Sequence, residues 1–322
     1  MKPKVYIGPA GWSYPDWNGV VYPTTRTRVF DPLEYLASYF NLIEINSTFY
    51  RIPSPRVTQT WTRRVSMSDD FRFTVKAHGD MTHHRVPASQ NEVSEFKKAI
   101  DPLFEDGRLG AVLIQFPWSF RMSPDTQTYV QELTRWFSPL PTAVEVRHGS
   151  WGSDRATAFF RDNEIALCGI DQPRIGNSIG PSSFVPGGSQ AYFRLHGRNK
   201  ENWFDKEAGR DARYDYLYSK QELSFWRTQI EEVSKGVERL FVVLNNHFRG
   251  QAVANALQLR AMLTGRKHAA PPELIAAYPQ LGDALRPARR VARPKTDQQG
   301  GQLGLFDDQD QNEQTDDTEQ NR

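Results

Sequence analysis

Eight short apolar segments are spaced along the chain and alternate with amphipathic helical patterns. They are residues 5–7, 42–45, 72–76, 111–115, 143–146, 165–169, 191–195 and 240–244. Apolar segments of this length that alternate with helices are typical of parallel strands, and eight such units fit a barrel better than an open sheet. The sequence therefore predicts a single α/β domain, a TIM-type (β/α)8 barrel, over residues 1–285.

Several helices begin at recognisable capping sequences. A capping side chain before a proline at the first helical position favours a helix start, as does Ser or Thr followed three residues later by Glu. These sites are Asp31-Pro32, Ser54-Pro55, Ser123-Pro124 and Ser219 with Glu222. Residues 171–189 are rich in Gly, Pro and Ser, which predicts an irregular loop there. No glycine fingerprint follows any predicted strand, which argues against a dinucleotide fold.

Charge is segregated along the 322 residues, although the formal net charge is only +2. Residues 1–285 carry +4 and residues 297–322 carry −7, with eight acidic residues and one basic residue. Five cations without an acid lie between them, namely Arg286, Arg289, Arg290, Arg293 and Lys295. We therefore expect a basic linker over residues 286–296 and, since so few apolar residues cannot form a core, a disordered acidic tail over residues 297–322.

The compartment is predicted from three observations. The apolar stretch before Gly8 is too short for a signal peptide, and no apolar run approaches the ~18 residues of a membrane span. Cys168 is the single cysteine, so no disulfide can form within the chain. We expect a soluble cytoplasmic protein without a membrane segment.

Polar side chains of one parity occur at the ends of seven predicted strands. Barrel enzymes have their active sites at the carboxyl ends of the strands, and alternate residues of a strand share a face. The residues that this rule selects are Glu44, Lys76, Gln115, Glu145, Arg147, Asp171, Arg194, His196 and Asn245. Trp12 and Trp151 also follow strands and could either stack on a sugar or base or cover the barrel top.

These residue types suit proton transfer and anion binding. Glu145 or Asp171 could act as a general base, and His196 could shuttle protons near neutral pH. Cationic side chains suit a phosphate or carboxylate, which arginines bind in a bidentate manner. We therefore predict catalytic roles for Glu44, Lys76, Glu145, Asp171 and His196. Predicted substrate-binding residues are Trp12, Gln115, Arg147, Trp151, Arg194 and Asn245.

Two alternatives remain open at this stage. The charges could form a network of ion pairs that fills the barrel mouth without binding anything, because buried charges must be paired. A divalent metal could be held by Glu44, Glu145, Asp171 and His196, although the interleaved cations would oppose it. The sequence leaves the cofactor unknown.

Seven motifs in chain order carry a family resemblance. They are Gly11-Trp12-Ser13-Tyr14, residues 44–51 (EINSTFYR), residues 73–77 (FTVKA), Gln115-Phe116-Pro117, Glu145-Val146-Arg147-His148 with Trp151, residues 192–197 (YFRLHG) and Asn245-Asn246. Together they resemble the YecE-like family, domain of unknown function 72, over about residues 5–280. The resemblance implies a TIM-type barrel and specifies no reaction or catalytic residues.

One apolar island interrupts the acidic tail. It comprises Gln302, Leu303, Gly304, Leu305 and Phe306. The island resembles the Gln-Leu-x-Leu-Phe motif by which flexible tails bind the bacterial DNA sliding clamp. Such a peptide can place Leu305 and Phe306 in a hydrophobic pocket while Gln302 forms hydrogen bonds. The basic linker would then lie near DNA, where Arg and Lys contact phosphates. A chance island, or a tail that binds its own barrel, is the alternative.

Three functional hypotheses follow. The first is a hydrolase or lyase for a phosphorylated or nucleic-acid-derived substrate, recruited to the sliding clamp by the tail. The second is an adaptor at the clamp whose barrel binds a ligand without turnover. The third is an enzyme of sugar metabolism with an incidental tail, which rests mainly on fold analogy.

Overall fold

The computed structural model describes residues 3–84, 88–181, 184–201 and 211–288. These ranges contain ten strands: β1 (Lys4–Pro9), β2 (Leu42–Ile45), β3 (Arg72–Lys76), β4 (Leu109–Gln115), β5 (Thr142–Glu145), β6 (Gly169–Asp171), β7 (Gln190–Leu195), β8 (Arg239–Leu244), β9 (His268–Ala270) and β10 (Leu285–Pro287). The α-helices in the same ranges are α1 (Pro32–Ala37), α2 (Pro55–Arg64), α3 (Gln90–Glu105), α4 (Pro124–Phe137), α5 (Asp154–Asp162), α6 (Lys220–Val233), α7 (Gln251–Thr264) and α8 (Pro272–Ala277).

The strands form parallel sheets. One four-stranded sheet has the order β1-β8-β7-β6, the other has the order β2-β3-β4-β5, and β9 pairs with β10. Helices α2, α3 and α4 connect consecutive strands of the second sheet, as parallel pairing requires. The fold is therefore mixed α/β with parallel sheets.

The two four-stranded sheets meet at both edges through isolated parallel bridges. At one edge Ala10 bridges Glu44, and the Gly11 amide donates to the Glu44 carbonyl at 2.8 Å. At the other edge Val144 bridges Leu167, with 2.8 Å bonds on both sides of the bridge. Single bridges thus link residues at or next to the edge strands of the two sheets.

Aromatic side chains pack between the two sheets. Tyr6, Phe241 and Tyr192 lie at one level of the register, with ring centroids 5.2 Å and 6.0 Å apart in that order. The Phe241 ring also approaches β4, because a Cβ on Gly110 would lie 2.6 Å from it. A strand of one sheet therefore contacts a strand of the other sheet across the interior.

All eight predicted strands are present, with small shifts at their ends, but the sixth differs most. The prediction placed it at residues 165–169, whereas β6 covers Gly169–Asp171. Leu167 instead makes single bridges to Val144 and Val185. The short strands β9 and β10 were not predicted, since three residues give no measurable alternation. Arg286, the first residue of the expected linker, pairs with Ala269 in this small sheet.

The predicted helix starts are confirmed at the expected residues. Asp31 accepts hydrogen bonds from two amides of the first turn of α1, and Ser123 and Ser219 form capping boxes at α4 and α6. Ser54 precedes α2 as expected but makes no side-chain cap. The crossover between β6 and β7 was predicted to be an irregular loop, and its described residues contain no helix.

Length and apolarity decide whether a helix in the described ranges could span a membrane. None of their helices combines enough length and apolarity to cross a bilayer.

Gly8 permits the close approach of β1 and β2, and its replacement should destabilise the protein. A Cβ at this position would lie 1.7 Å from the Leu42 carbonyl oxygen, so the backbone would have to move. We expect Gly8→Ala to lower the free energy of unfolding by about 2–3 kcal/mol, measured by urea denaturation. Gly180→Ala is the matched control, because among the described residues, its two chain neighbours apart, no atom lies within 4 Å of a Cβ built there, and it should stay within about 0.5 kcal/mol of wild type. Equal midpoints for both variants would contradict this account of Gly8.

Candidate functional site

Register brings the polar side chains at the strand ends onto the inner face of the sheets. Residues paired in neighbouring parallel strands point to the same side. Glu44 pairs with Thr74 in this way, and Gln115 pairs with Glu145. We define the strand-end cluster as six of the predicted site residues whose side chains are joined by contacts within 3.3 Å, namely Glu44, Glu145, Arg147, Arg194, His196 and Asn245.

Arg194 is the centre of the strand-end cluster. Its Nη2 and Nε donate to the two carboxylate oxygens of Glu44 at 2.6 and 3.1 Å, and its Nη1 donates to Glu145 Oε2 at 2.6 Å. All three residues are at most 1% exposed. One guanidinium therefore holds a carboxylate from β2 and a carboxylate from β5, which compensates buried charge that would otherwise be costly.

Tyr192 completes the environment of Glu44. Its hydroxyl donates to Glu44 Oε2 at 2.7 Å and lies 2.7 Å from Thr74 Oγ1. Tyr192 is not among the predicted site residues. Strand alternation could have identified it, because Tyr192 lies two residues before Arg194 on β7 and therefore shares its face.

The second carboxylate, Glu145, meets three positively charged or polar groups. Arg147 Nε donates to Oε1 at 3.2 Å, and His196 Nε2 lies 3.3 Å from the same oxygen. Burial by itself would raise the pKa of Glu145, but Arg194, His196 and Arg147 together outweigh it and hold the pKa well below its usual value. Glu145 is therefore ionised at neutral pH.

His196 is neutral at the same pH. Burial, aided by the charge of Arg194, lowers the pKa of His196 to about 4, although Glu145 opposes the change. The amide of Asn245 is oriented with its Nδ2 toward His196 and donates to His196 Nδ1 at 3.0 Å. This bond assigns the ring proton to Nε2, on the side of Glu145.

Lys76 and Gln115 lie beside the strand-end cluster. Lys76 is 8% exposed, and its Nζ sits 3.8 Å from the centre of the Phe49 ring, a cation–π contact. Gln115 neighbours Glu145 through the strand register, and its Nε2 lies 3.5 Å from His83 Nε2. The His83 and Phe49 rings make a T-shaped contact with their centroids 4.7 Å apart. Lys76 and Gln115 therefore contact the two members of one aromatic pair.

Asp171 does not join the strand-end cluster, which corrects the expectation from parity. In β6 it is Ile170 that pairs with Arg194, whereas Asp171 pairs with Leu195 and so faces the opposite side. Its carboxylate accepts from Arg198 Nε at 2.9 and 3.0 Å and from Trp226 Nε1 of α6 at 3.2 Å. Burial raises the pKa of Asp171 despite Arg198.

Arg198 connects Asp171 to a second carboxylate and was also missed. Its Nη1 donates to Glu222 at 3.2 Å, and Glu222 accepts a 2.5 Å bond from the Tyr216 hydroxyl. This group fastens the segment after β7 to the first turn of α6. No sequence signal identified it, because Arg198 follows its strand by three residues.

The two predicted tryptophans occupy different surroundings. Trp151 is fully buried, stacks on Phe120 at 5.7 Å and donates its indole N–H to the Phe120 carbonyl at 2.8 Å. It therefore packs the loop after β5 and is not brought to the strand-end cluster. Trp12 is 1% exposed and packs edge-on against Trp61, and its buried Nε1 has no hydrogen-bond partner within the described ranges.

A divalent metal does not fit the described residues. None of their clusters of three or more His, Cys, Asp or Glu side chains has a geometry suited to a metal ion. The proposed ligand set is also divided, since Asp171 faces away and Arg194 binds both glutamates. Cations in the ligand positions favour an anion instead.

The remaining predicted residues lie outside the described ranges. They are Arg289, Arg290, Arg293, Lys295, Gln302, Leu303, Leu305 and Phe306.

Removing the Arg194 guanidinium should destabilise the protein in a pH-dependent manner. Arg194→Met leaves two buried carboxylates without their main counter-ion, so we expect the free energy of unfolding at pH 8 to fall by about 3–5 kcal/mol. Urea denaturation measures it, and exposed Arg155→Met on α5 should stay within about 0.5 kcal/mol.

The pH dependence has a defined sign. In wild type the folded-state pKa of Glu145 is depressed, so its ionised form adds stability above the usual value near 4.5 that is lost as pH falls through the folded pKa. In Arg194→Met burial dominates, the pKa rises, and protonation favours the folded state. The deficit of the variant should therefore be smaller at pH 5 than at pH 8; a deficit that is equal or larger at pH 5 contradicts the assigned role.

Comparisons with known proteins agree with the motifs. Residues 6–278 match the family model described as "Protein of unknown function DUF72". The UPF0759 protein YunF of Bacillus subtilis is 29% identical over 272 residues, 80% of this chain and 94% of that protein. The UPF0759 protein YecE of Escherichia coli K12 is 33% identical over 147 residues, 45% of this chain and 48% of that protein.

Solved structures give the same result. A DUF72 family protein from Thermotoga maritima MSB8 is 37% identical, covers 81% of this chain and 99% of its own, and superposes with a TM-score of 0.70. One from Enterococcus faecalis V583 is 27% identical, covers 81% and 96%, and has a TM-score of 0.72. The strand-end motifs thus occur within a domain that these proteins share, and the chain belongs to the DUF72 family of YecE-like proteins.

Proposed function

We propose that the protein is an enzyme, a hydrolase or lyase, whose active site is the strand-end cluster and whose substrate is a small phosphorylated or nucleic-acid-derived anion. The observation that carries the proposal is the charge of this region. Lys76, Arg147 and Arg194 supply three cations, whereas Glu44 and Glu145 supply two carboxylates, and His196 is neutral. One net positive charge at the carboxyl ends of the strands suits an anion.

The proposal includes closure of the two sheets into one (β/α)8 barrel. The bridges at Ala10–Glu44 and Val144–Leu167 support closure at both edges. The ion pairs of Arg194 support it as well, since β7 of one sheet reaches β2 and β5 of the other. In such a barrel the strand-end cluster lies at the mouth, where enzymes of this fold bind substrates.

Arg147 is the residue best placed to meet the substrate. Its side chain is 12% exposed, whereas Arg194 and Glu145 are fully buried beneath it. Trp12 Nε1 supplies a buried donor that the described residues leave without a partner. Arg147 can bind one face of a phosphate or carboxylate in a bidentate manner.

Substrate binding would also prepare proton transfer. Glu145 is a weak base while Arg147 and Arg194 hold its pKa down. A substrate anion on Arg147 offsets part of that positive charge, so the pKa of Glu145 rises toward the range useful for a general base. His196 Nε2, 3.3 Å away, carries the ring proton and directs it at Glu145 Oε1, which orients that carboxylate for proton abstraction. Glu44 and Lys76 then position Arg194 and the anion.

Binding of an anion should depend on Arg147. We expect inorganic phosphate or a nucleoside monophosphate to raise the melting temperature of wild type, and Arg147→Gln to weaken binding at least tenfold in calorimetry. Exposed Arg155→Gln on α5 is the control and should bind as wild type does. Equal affinity of wild type and Arg147→Gln favours the purely structural ion-pair network.

Turnover separates the enzyme from the alternatives. With the anion that binds, we expect product release by wild type and its loss in Glu145→Gln at unchanged binding. Binding without turnover supports the adaptor, and turnover of unphosphorylated sugars supports an enzyme of sugar metabolism.

We further propose that residues 302–306 recruit the protein to the bacterial DNA sliding clamp, with the basic linker near DNA. The support is the sequence Gln302-Leu303-Gly304-Leu305-Phe306 in an acidic, apolar-poor tail. Recruitment of this kind would place the protein in the cytoplasm.

The clamp proposal predicts micromolar binding of the full chain to a bacterial sliding clamp in surface plasmon resonance. Leu305→Ala combined with Phe306→Ala should weaken it at least tenfold, because both apolar side chains enter the pocket. Gln311→Ala with Gln314→Ala, in the same tail but outside the motif, is the control. Absence of binding by the wild-type chain refutes the proposal.

A further inference from the structure

A groove opens on the outer surface between α6, α7 and the segment that leads into β10. Its volume is about 630 Å³, and Tyr218, Arg227, Met262 and Leu281 are among the residues that line it. It lies on the helices and not at the strand ends, and the strand-end cluster contributes no residue to it. Neither the proposed active site nor the clamp proposal uses this groove.

The groove is electropositive. Its lining includes the cations Lys220, Arg227, Arg266 and Lys267 and the single acid Asp283. Lys220, Arg266 and Lys267 are exposed, and the Lys267 ammonium donates to the Gly282 carbonyl at 2.7 Å. On α6, Glu231 forms an ion pair with Arg227 Nε at 3.7 Å.

Nearby groups respond to this field. Burial lowers the pKa of Arg260 on α7, and the charge of Arg266 lowers it further. Burial likewise lowers the pKa of His268 on β9, with added effects from Arg260, Arg266 and Arg286. The groove lining carries more cations than acids, and such a surface attracts a negatively charged partner.

The groove also has apolar walls. Leu217, Ala261, Met262, Leu281 and Ala284 line it beside the cations. A partner that fits must therefore combine apolar side chains with adjacent acids. Residues 303–310 of this chain, Leu-Gly-Leu-Phe-Asp-Asp-Gln-Asp, have this composition and contain no cation.

The described chain ends next to the groove. Asp283 and Ala284 belong to its lining, β10 follows directly, and the Ala288 amide donates to the Ala270 carbonyl at 2.9 Å. Fourteen residues separate Ala288 from Leu303. A chain of that length has a typical coil span of about 20 Å, which reaches back to the groove.

We propose that residues 303–310 bind in cis to the groove between α6 and α7. Leu303, Leu305 and Phe306 lie on the apolar walls, and Asp307, Asp308 and Asp310 face the cations. The groove then covers the residues that the clamp proposal assigns to the clamp, so the two contacts exclude each other. Only this last consequence rests on the clamp proposal.

Protease protection of the full chain tests the docking. A tether supplies an effective concentration in the millimolar range, so an intrinsic dissociation constant of about 0.1 mM slows chymotrypsin cleavage after Phe306 about tenfold. We expect Arg227→Glu with Arg266→Glu to remove this protection, and 0.5 M salt to weaken it in wild type. Cleavage is followed by mass spectrometry.

Controls separate docking from general charge and folding effects. Arg155→Glu with Arg161→Glu makes the same charge change on α5 and should leave cleavage at Phe306 as in wild type. If the double variant has a lower urea midpoint than wild type, the single variant Arg266→Glu, at an exposed position, takes its place. Unchanged cleavage in both groove variants overturns the proposal.

A second measurement tests the groove directly. The full-chain variant Leu305→Ala with Phe306→Ala leaves the groove open, so a labelled peptide of residues 297–312 should bind it in fluorescence anisotropy. Adding Arg227→Glu and Arg266→Glu should abolish that binding. If the peptide does not bind and the groove variants instead lose binding of a DNA duplex, the groove is a nucleic-acid site and the proposal is wrong.

Discussion

The ion pairs of Arg194 hold the interior of this protein together. A guanidinium from β7 meets a carboxylate from β2 and a carboxylate from β5 at 2.6 Å, in surroundings closed to water. Each partner alone would be a buried uncompensated charge, so the three must be placed together. These ion pairs join one strand of the first sheet to two strands of the second sheet across the interior. The aromatic layer of Tyr6, Phe241 and Tyr192 packs in the same interior, and the Tyr192 hydroxyl donates to Glu44.

The same ion pairs set the chemistry that the site can perform. Glu145 is ionised because cations surround it, and His196 is neutral because burial outweighs the attraction of Glu145. Neither group is a strong base in this state. An anionic substrate would alter the balance by offsetting the charge of Arg147, which couples binding to proton transfer. This coupling, and not a preformed catalytic base, is what the proposed hydrolase or lyase depends on.

Alternation along single strands predicted which side chains meet at the strand ends for most of the residues it selected. Glu44, Glu145, Arg194 and His196 do converge, because each lies on a strand whose ends the apolar pattern located well. The prediction for Asp171 was wrong because the apolar pattern located β6 poorly. The strand is shifted, so Asp171 pairs with Leu195 and its side chain faces Trp226. A displacement of one residue exchanges the two faces of a strand. Trp151 does not join the strand-end cluster. Its position after a strand does not determine whether the indole points toward that cluster or packs within its own loop.

The sequence by itself determined the alternation of strands and helices, the helix caps, the family and the segregation of charge, because each of these is encoded within a few neighbouring residues. Tertiary structure alone decided which carboxylates share Arg194, that Tyr192 belongs with Glu44, and that cations of α6 and of the turn after α7 line one groove beside the end of the described chain. These are contacts between residues up to 150 positions apart. Their formation depends on register and on the meeting of two sheets, and no local pattern carries that information.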